Sequence, residues 1–253
     1  MISGKKIAAV IVAYNAEKTL ERTVNGIPEG GADILIIVDD ASKDNTFAVA
    51  KKFPKAIVIR HEKNMGYGAA QKSGYNKAMQ YGADVMVMIH GDFQYDPSLL
   101  VEMARPLALG TADACFGSRM QSKNDAWKNG MPWWRFVANV SLSKIEEQIF
   151  RLNLSEYHTG YRAYTMETLK RIPFNENSDD FVFDSEIFAE LSLGNFRVTE
   201  ISIPTRYFKE ALSINFRRSV IYGLQTLGVI TKFILHKKGL KKYKNFVIRK
   251  ISN

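Results

Sequence analysis

Residues 85–97 read Val-Met-Val-Met-Ile-His-Gly-Asp-Phe-Gln-Tyr-Asp-Pro. The apolar run from Val85 to Ile89 predicts a buried strand, and polar side chains follow it at once. Because alternate residues of an extended chain share a face, we expect His90, Asp92 and Gln94 to point the same way. Imidazole, carboxylate and amide oxygen can together bind Mn²⁺ or Mg²⁺, so these three residues are candidate metal ligands.

The competing interpretation of this stretch is a polar turn ahead of a helix that begins near Asp96-Pro97. A helix cap accounts for Asp96 but leaves the three preceding polar residues unexplained. In an open α/β sheet, ligands bind at the carboxyl ends of the strands. The pattern therefore favours a ligand site.

The sequence around this stretch alternates between strand and helix patterns. Such alternation predicts an α/β fold with a mostly parallel central sheet and helices on both faces. The predicted strands cover residues 7–13, 34–38, 57–59, 85–89, 113–116, 161–164 and 197–203. The predicted helices cover residues 17–27, 45–53, 69–81, 97–109, 136–152, 187–193 and 220–235.

The composition is that of a globular protein, with 253 residues of which 46% are hydrophobic and 24% are charged. Cys115 is the only cysteine, so no disulfide can form within one chain. The amino terminus, Met-Ile-Ser-Gly-Lys-Lys, lacks the pattern of a secretory signal. We therefore expect a cytoplasmic protein.

The net charge of +9 is unevenly distributed. Residues 214–253 contain ten Lys or Arg and no acid, which leaves 25 basic and 26 acidic groups in residues 1–213. The basicity therefore belongs to the carboxyl-terminal segment. A single basic segment without a reading motif argues against a nucleic-acid partner.

The helix predicted over residues 220–235 is mostly apolar and precedes a basic tail. Sixteen helical residues span about 24 Å, which is short of a hydrocarbon core of roughly 30 Å. An amphipathic helix with a basic tail indicates attachment to an anionic membrane surface, as a peripheral protein on the inner face. The alternative is a helix packed on the core with a solvated tail.

Two further motifs follow predicted strands and are candidate ligand sites. Asp40 follows the second strand, where its carboxylate can accept hydrogen bonds from a nucleobase or a ribose. Gly66 lies in Asn-Met-Gly-Tyr-Gly, a weak match to a phosphate loop that more readily indicates a tight turn close to a ligand.

Three arginines on predicted loops or strand ends are candidate partners of a diphosphate: Arg119, Arg162 and Arg206. The segment Asp-Asp-Phe-Val-Phe-Asp184-Ser-Glu supplies a second acidic cluster. Asp184 is either the cap of the next helix or a carboxylate that orients the acceptor or takes its proton.

Together, these motifs resemble those of the family 2 glycosyltransferases, and their order and spacing are similar to the dolichyl- or polyprenyl-phosphate sugar synthase branch. The resemblance covers about residues 5–210. The segments that carry it are Val12-Ala-Tyr14-Asn15, Val38-Asp-Asp40-Ala-Ser-Lys-Asp44-Asn-Thr46, Asn64-Met-Gly66-Tyr-Gly68-Ala, Gly91-Asp92-Phe-Gln94 and Gly117-Ser-Arg119.

The resemblance implies an A-type glycosyltransferase fold and an inverting, Mn²⁺- or Mg²⁺-assisted transfer from a UDP- or GDP-sugar. Tyr14, Val38 and Asp40 would bind the nucleoside, and Asp92 and Gln94 the metal and the diphosphate. The arginines, among them Arg119 and Arg206, would neutralise the phosphates and the acceptor headgroup. Residues 1–119 would form the nucleotide-binding half, residues 120–213 the acceptor half, and residues 214–253 the amphipathic helix and basic tail.

Two positions depart from the family pattern. His90 replaces the first member of the usual acid-x-acid pair, which should weaken Mg²⁺ binding while leaving Mn²⁺ binding possible through neutral imidazole. His158 is taken to stand in the place of an acid in a second motif.

These observations predict sugar transfer to a polyprenyl phosphate. The alternatives are transfer to a saccharide or soluble hydroxyl acceptor, for which Asp184 would be the base, and a nucleotide-sugar binding protein with weakened catalysis.

Overall fold

A computed structural model describes residues 1–120, 133–204 and 216–250, with the side chains of residues 133–135 and 216 left out of the description. The strands are β1 (Ile7–Ala13), β2 (Ile34–Asp39), β3 (Ala56–Arg60), β4 (Val85–His90), β5 (Ala114–Ser118), β6 (Arg162–Thr165) and β7 (Val198–Ser202). The α-helices are α1 (Leu20–Asn25), α2 (Thr46–Ala50), α3 (Tyr67–Gln80), α4 (Leu100–Ala108), α5 (Trp133–Phe150), α6 (Met166–Arg171), α7 (Phe183–Leu193) and α8 (Phe216–Lys237). Short 3₁₀ turns cover Pro97–Leu99, Phe174–Glu176 and Lys244–Phe246.

All the strands belong to one sheet of order β3-β2-β1-β4-β6-β5-β7. β6 runs antiparallel to both of its neighbours, and the other pairings are parallel. Val12 of β1 pairs with Val38 on one side and with His90 on the other, so the carboxyl ends of β1, β2 and β4 are level. The predicted, mostly parallel α/β sheet is confirmed.

Alternating side chains of β1 enter two different hydrophobic cores. Val10 and its even-numbered neighbours pack with residues of α3, α7 and α8. Ile11 and its odd-numbered neighbours pack with residues of α1, α2 and α4. Every residue of β1 is buried, as expected for a strand covered by helices on both faces. The continuous apolar run in the sequence has this cause.

The described part of the basic tail is anchored to the body. Phe246 is buried, the Asn245 side-chain amide donates to the Glu186 carboxylate at 3.1 Å, and the Arg249 amide donates to the carbonyl of Arg171 at 2.8 Å. These contacts hold the tail against α7 and the end of α6. The alternative of a solvated tail therefore does not hold at Phe246, although the side chains of Lys244 and Arg249 are exposed. Among the described residues, no helix has both the length and the apolarity needed to cross a membrane.

The buried carboxyl group of Glu190 on α7 makes the stability of the fold depend on pH. The side chain is fully buried, and burial raises the pKa of its carboxyl well above the usual value of 4.5. The folded protein therefore keeps a proton that the unfolded chain releases above pH 4.5. Stability should fall as the pH rises above that value, by about 1.4 kcal/mol for each unit of pKa shift.

The isosteric variant Glu190→Gln removes this proton uptake. We expect its free energy of unfolding to exceed that of the wild type at pH 8 and the difference to shrink toward pH 5, as measured by urea unfolding. A difference that is equal at both pH values would show that Glu190 does not carry the proton.

Candidate active site

The carboxyl ends of β1 and β4 open onto a cavity of about 560 Å³. The loop after β1, the turn after β4 and the start of α3 form one side, and residues of α5 and α8 form the other. Eight of the predicted site residues line this cavity: Tyr14, Asp40, Gly66, His90, Asp92, Gln94, Arg119 and Asp184. The structure therefore brings together most of the predicted set.

Two of the predicted ligand-binding residues do not line the cavity. The side chain of Val38 is fully buried in the core beside Val10, and Val38 does not line the cavity. Arg162 was expected on a loop, but it is the first residue of β6, is fully buried and does not line the cavity. Val38 fills the core and Arg162 pairs with Asp184, so a direct contact of either residue with a ligand stays a prediction. The remaining predicted arginine, Arg206, lies outside the described residues.

The three candidate metal ligands reach the cavity through a turn instead of an extended chain. β4 ends at His90, and the Asp92 carboxylate accepts a hydrogen bond from the Gln94 amide at 3.1 Å. Phe93 between them has a φ of +60°, a left-handed conformation that is uncommon outside glycine. The side chains share the cavity because the turn folds them toward it. The prediction that the three side chains share a face was based on strand alternation, but the strand ends at His90 and a turn brings the side chains together.

His90 is held so that one ring nitrogen can act as a ligand. Its Nε2 hydrogen-bonds the Tyr67 hydroxyl at 2.9 Å, and its ring packs edge-on against Tyr67 and Tyr95. Burial, together with Arg162 and Arg119, lowers the pKa of His90 to about 3, so the ring is neutral. Within the described residues, no group hydrogen-bonds Nδ1. A neutral imidazole is the form that binds metal.

Gly160 provides the space that the His90 ring occupies. A Cβ at position 160 would collide with Nε2 and Cε1 of His90, while the Gly160 amide donates to the Tyr95 hydroxyl at 2.8 Å. We expect Gly160→Ala to displace the ring and to weaken Mn²⁺ binding at least about tenfold, the lower end of the effect seen when the support of a metal ligand is removed.

Isothermal titration with MnCl₂ measures this effect. Gly228→Ala is the control, because Gly228 lies in α8 and a Cβ there meets open space. Equal Mn²⁺ affinity in Gly160→Ala and the wild type would remove His90 from the ligand set.

Asp92 has the chemistry of a metal ligand. Burial raises the pKa of its carboxyl to about 6, against the hydrogen bond from Gln94 that lowers it. Within the described residues, no three His, Cys, Asp or Glu side chains form a metal cluster. Mg²⁺ and related cations are nevertheless often held by one or two protein ligands together with substrate phosphates. Asp92 and His90 fit that pattern, with the Gln94 side chain beside them.

Asp40 lines the cavity and also holds the loop that forms part of the cavity wall. Its carboxylate accepts hydrogen bonds from the amides of Met65 and Gly66 at 2.8 and 2.9 Å, and it pairs with His61 at 2.7 Å. The other His61 nitrogen lies 2.9 Å from the Ser73 hydroxyl on α3. Asp40 therefore fixes the loop that leads into α3. Sequence analysis missed His61, because nothing local connects it to Asp40.

In the glycine-rich segment, the backbone at Gly66 lies very close to the backbone at Asp179. Gly66 has a φ of +103°, and a Cβ there would collide with the carbonyl of Asp179. The same carbonyl accepts hydrogen bonds from the amides of Gly68 and Ala69. These first amides of α3 are therefore satisfied within the protein, so the segment is a turn beside the ligand cavity and not a phosphate loop.

Asp184 is held at the cavity floor by two buried side chains. Its carboxylate pairs with the Arg162 guanidinium at 2.9 Å and accepts from the Gln71 side-chain amide at 3.0 Å. Burial raises the pKa of Asp184, and Arg162 opposes that rise. The alternative reading as a helix cap is wrong, because α7 begins at Phe183 and Val182 is its N-cap. Gln71 and Arg162 position the carboxylate.

Arg119 faces the cavity with its guanidinium held by an acid. Its Nε donates to the Glu156 carboxylate at 2.8 Å, and its Nη2 bonds the same carboxylate and the carbonyl of His158. Glu156 is fully buried. Glu156 therefore supplies a buried carboxylate two residues before His158, and the placement of His158 at the acid position of the second motif stays a prediction.

His158 connects the two helices on the far side of the cavity. Its Nε2 lies 3.1 Å from the Glu146 carboxylate on α5, and its Nδ1 lies 3.0 Å from the Tyr222 hydroxyl on α8. His158 and Tyr222 both line the cavity. The hydroxyl of Tyr222 also approaches Ser185 on α7. Sequence analysis missed this connection, since its members lie far apart in the chain.

Comparison with known proteins identifies related sugar transferases. A 28% identical relative, the UDP-N-acetylglucosamine–dolichyl-phosphate N-acetylglucosaminyltransferase of Methanococcus voltae, aligns over 84% of this chain and 90% of its own length. The undecaprenyl-phosphate mannosyltransferase of Micrococcus luteus is 29% identical over 78% of this chain and 82% of its own length.

The fold matches a solved glycosyltransferase structure. Glucosyl-3-phosphoglycerate synthase from Mycobacterium tuberculosis, in complex with Mn²⁺, UDP and phosphoglyceric acid, superposes with a TM-score of 0.69 at 18% identity. The alignment covers 91% of this chain and 79% of that one, which confirms the predicted A-type glycosyltransferase fold. The family model for glycosyl transferase family 2 matches residues 8–173. The chain therefore belongs to glycosyl transferase family 2, and its relatives are those of the polyprenyl-phosphate sugar synthase branch.

Proposed function

We propose that the protein transfers a sugar, with inversion, from a nucleotide-sugar donor to a polyprenyl phosphate at the inner membrane surface. The observation that carries the proposal is the single cavity shared by Asp92, His90 and Gln94 on the sheet side and by α5 and α8 on the other. Donor and acceptor would meet in this cavity. Residues 1–119 would supply the nucleotide half, residues 120–213 the acceptor half, and residues 214–253 the contact with lipid.

In this proposal Asp92 and His90 hold a Mn²⁺ or Mg²⁺ ion, with Gln94 beside it. Such an ion stabilises the negative charge that develops on the departing nucleoside diphosphate. The neutral His90 favours Mn²⁺, since imidazole is a better ligand for it than for Mg²⁺. Crystals of the M. tuberculosis glycosyltransferase contain Mn²⁺ and UDP, which supports the same choice.

In the proposed mechanism, Arg119 on the cavity wall stabilises phosphate charge. Glu156 and the His158 carbonyl orient the Arg119 guanidinium in advance, so it can stabilise phosphate charge without reorganisation during the reaction. Tyr14 and Asp40 line the donor side, where we place the nucleoside.

A phosphate acceptor also fits the state of Asp184. A lipid phosphate is already anionic and attacks the anomeric carbon from the face opposite the leaving group, so it needs no strong base. Asp184 is paired with Arg162 and Gln71, which makes it a positioning carboxylate more readily than a base. A hydroxyl acceptor would instead require proton removal.

The variant Asp184→Asn separates the two acceptor classes. If the acceptor is a phosphate, we expect kcat to fall by less than about tenfold, because no proton is taken from it; loss of a general base typically costs 10²–10⁴-fold. Steady-state kinetics at saturating donor measure the effect. A loss at the upper end of that range would favour a hydroxyl acceptor and Asp184 as its base.

A transfer assay tests the proposed function itself. The purified full-length chain is incubated with Mn²⁺, UDP- and GDP-sugars, and either a polyprenyl phosphate or free saccharides. We expect the mass of one sugar to be added to the polyprenyl phosphate. Transfer only to saccharides would overturn the acceptor assignment, and the absence of any transfer together with retained donor binding would favour a binding protein.

A further inference from the structure

An exposed apolar face on α8 lies directly beside the cavity. Half of the exposed large apolar side chains in the described residues belong to α5 and α8. On α8 they are Val220, Ile221, Leu224 and Leu227, of which Leu224 is 65% exposed. This spacing of one, four and seven residues places them on one face of the helix. We call these four residues the α8 outer face.

The opposite face of α8 is already used within the protein. Thr226, Val229, Ile230 and Phe233 are buried against the body. Tyr222 hydrogen-bonds His158, and Arg218, Ser219 and Tyr222 line the cavity. The helix is therefore firmly seated, and the outer face is left as a contiguous apolar surface of the kind that marks an interaction site.

The charges around the outer face favour one kind of partner. Arg217 lies at the start of α8, and Lys237 and Lys238 at or just after its end. Residues 214–253 contain no acid. An apolar helix face bounded by cations at both ends fits a bilayer that contains anionic lipids, because the apolar side chains enter the acyl boundary while the cations meet the headgroups.

We infer that the α8 outer face inserts into the headgroup region of an anionic bilayer and thereby places the cavity at the membrane surface. The inference rests on the proposed lipid-phosphate acceptor and extends it by naming the surface that meets the lipid. Because the cavity-lining residues belong to the same turns of α8, insertion of the outer face brings the cavity to the depth of lipid phosphates. The anchored part of the tail adds cations but is not the inserted element.

The test is a site-specific insertion measurement on the full-length chain. The native Cys115 is fully buried, and burial raises the pKa of its thiol to about 12, so an introduced cysteine can be labelled selectively. Leu224→Cys carries an environment-sensitive fluorophore. Leu109→Cys is the matched control, because Leu109 is 59% exposed and lies between α4 and the amino end of β5, away from the strand ends that open onto the cavity.

On addition of phosphatidylcholine–phosphatidylglycerol vesicles, we expect the fluorescence of the label at position 224 to increase and its emission maximum to shift to shorter wavelength. The emission of the label at position 109 should stay unchanged. In a second arm, Ile221→Glu/Leu224→Glu should bind these vesicles at least about tenfold more weakly than the wild type, while Leu109→Glu binds normally. A donor-dependent thermal shift in each variant confirms that the protein is folded.

Three outcomes would overturn the inference. The first is a label at position 224 that stays in water while the vesicles bind, and the second is vesicle binding that is unaffected by the two glutamates. The third is a dimer that Leu224→Glu converts to a monomer, which would assign the face to a second copy of the chain. Transfer to polyprenyl phosphate without insertion would reject the inference alone. Insertion without donor binding would reject the proposed function alone.

Discussion

Replacing Asp92 with alanine is expected to lower kcat/KM for sugar transfer by at least about a thousandfold, since charge stabilisation of a leaving group is among the largest single contributions to catalysis. Asp92 is the one carboxylate in the turn after β4 that faces the cavity. Without it, His90 and Gln94 offer a cation no negative charge. The loss should appear with every donor and every acceptor.

The fold should tolerate this substitution. Burial raises the pKa of Asp92 to about 6, so removing its carboxyl relieves a desolvation cost. Asp96→Ala is the matched control: Asp96 caps the following turn through the Ser98 amide at 3.0 Å, and its loss should cost about 1 kcal/mol of stability without a comparable loss of transfer. Wild-type turnover in Asp92→Ala would refute the assignment of the site.

Replacing Arg162 with methionine is expected to lower the free energy of unfolding by about 3–5 kcal/mol, because it leaves the buried Asp184 carboxylate without its partner. The guanidinium is fully buried, pairs with Asp184 at 2.9 Å, donates to the carbonyl of Thr159 at 2.7 Å and lies over the Phe188 ring. Urea unfolding followed by circular dichroism measures the change.

Two comparisons make this prediction specific. Arg197→Met removes an exposed ion pair with Asp113, which should cost far less stability than the loss of Arg162. The double variant Arg162→Met/Asp184→Asn removes both charges and should recover much of the loss. A double variant no more stable than Arg162→Met would show that Arg162 stabilises the fold through packing and not by compensating Asp184.

The local parts of the site could be predicted from the sequence. The apolar run 85–89 and the polar residues that follow it located the carboxyl edge of β4, and the Asp96-Pro97 cap is present. Both signals come from neighbouring residues. The geometry of the turn could not be predicted, because the left-handed Phe93 has no sequence signature of the kind that glycine provides.

The long-range parts of the site could not be predicted. Gln71 and Asp184 are separated by 113 residues, and His158 reaches Tyr222 across 64. Arg162 was expected on a loop as a candidate partner of a diphosphate, and arginine is seldom fully buried. It is buried here because β6 enters the sheet antiparallel between β4 and β5, directly beneath Asp184. Periodicity carries no information about such an insertion.

The central claim is that Asp92 and its neighbours bind a divalent cation together with a nucleotide sugar. Isothermal titration of the wild type with UDP- and GDP-sugars, with and without Mn²⁺, tests it most directly. We predict saturable binding of at least one sugar nucleotide that strengthens with Mn²⁺ and loses that dependence in Asp92→Ala. If neither Mn²⁺ nor any sugar nucleotide binds the folded wild type, the proposed active site is wrong.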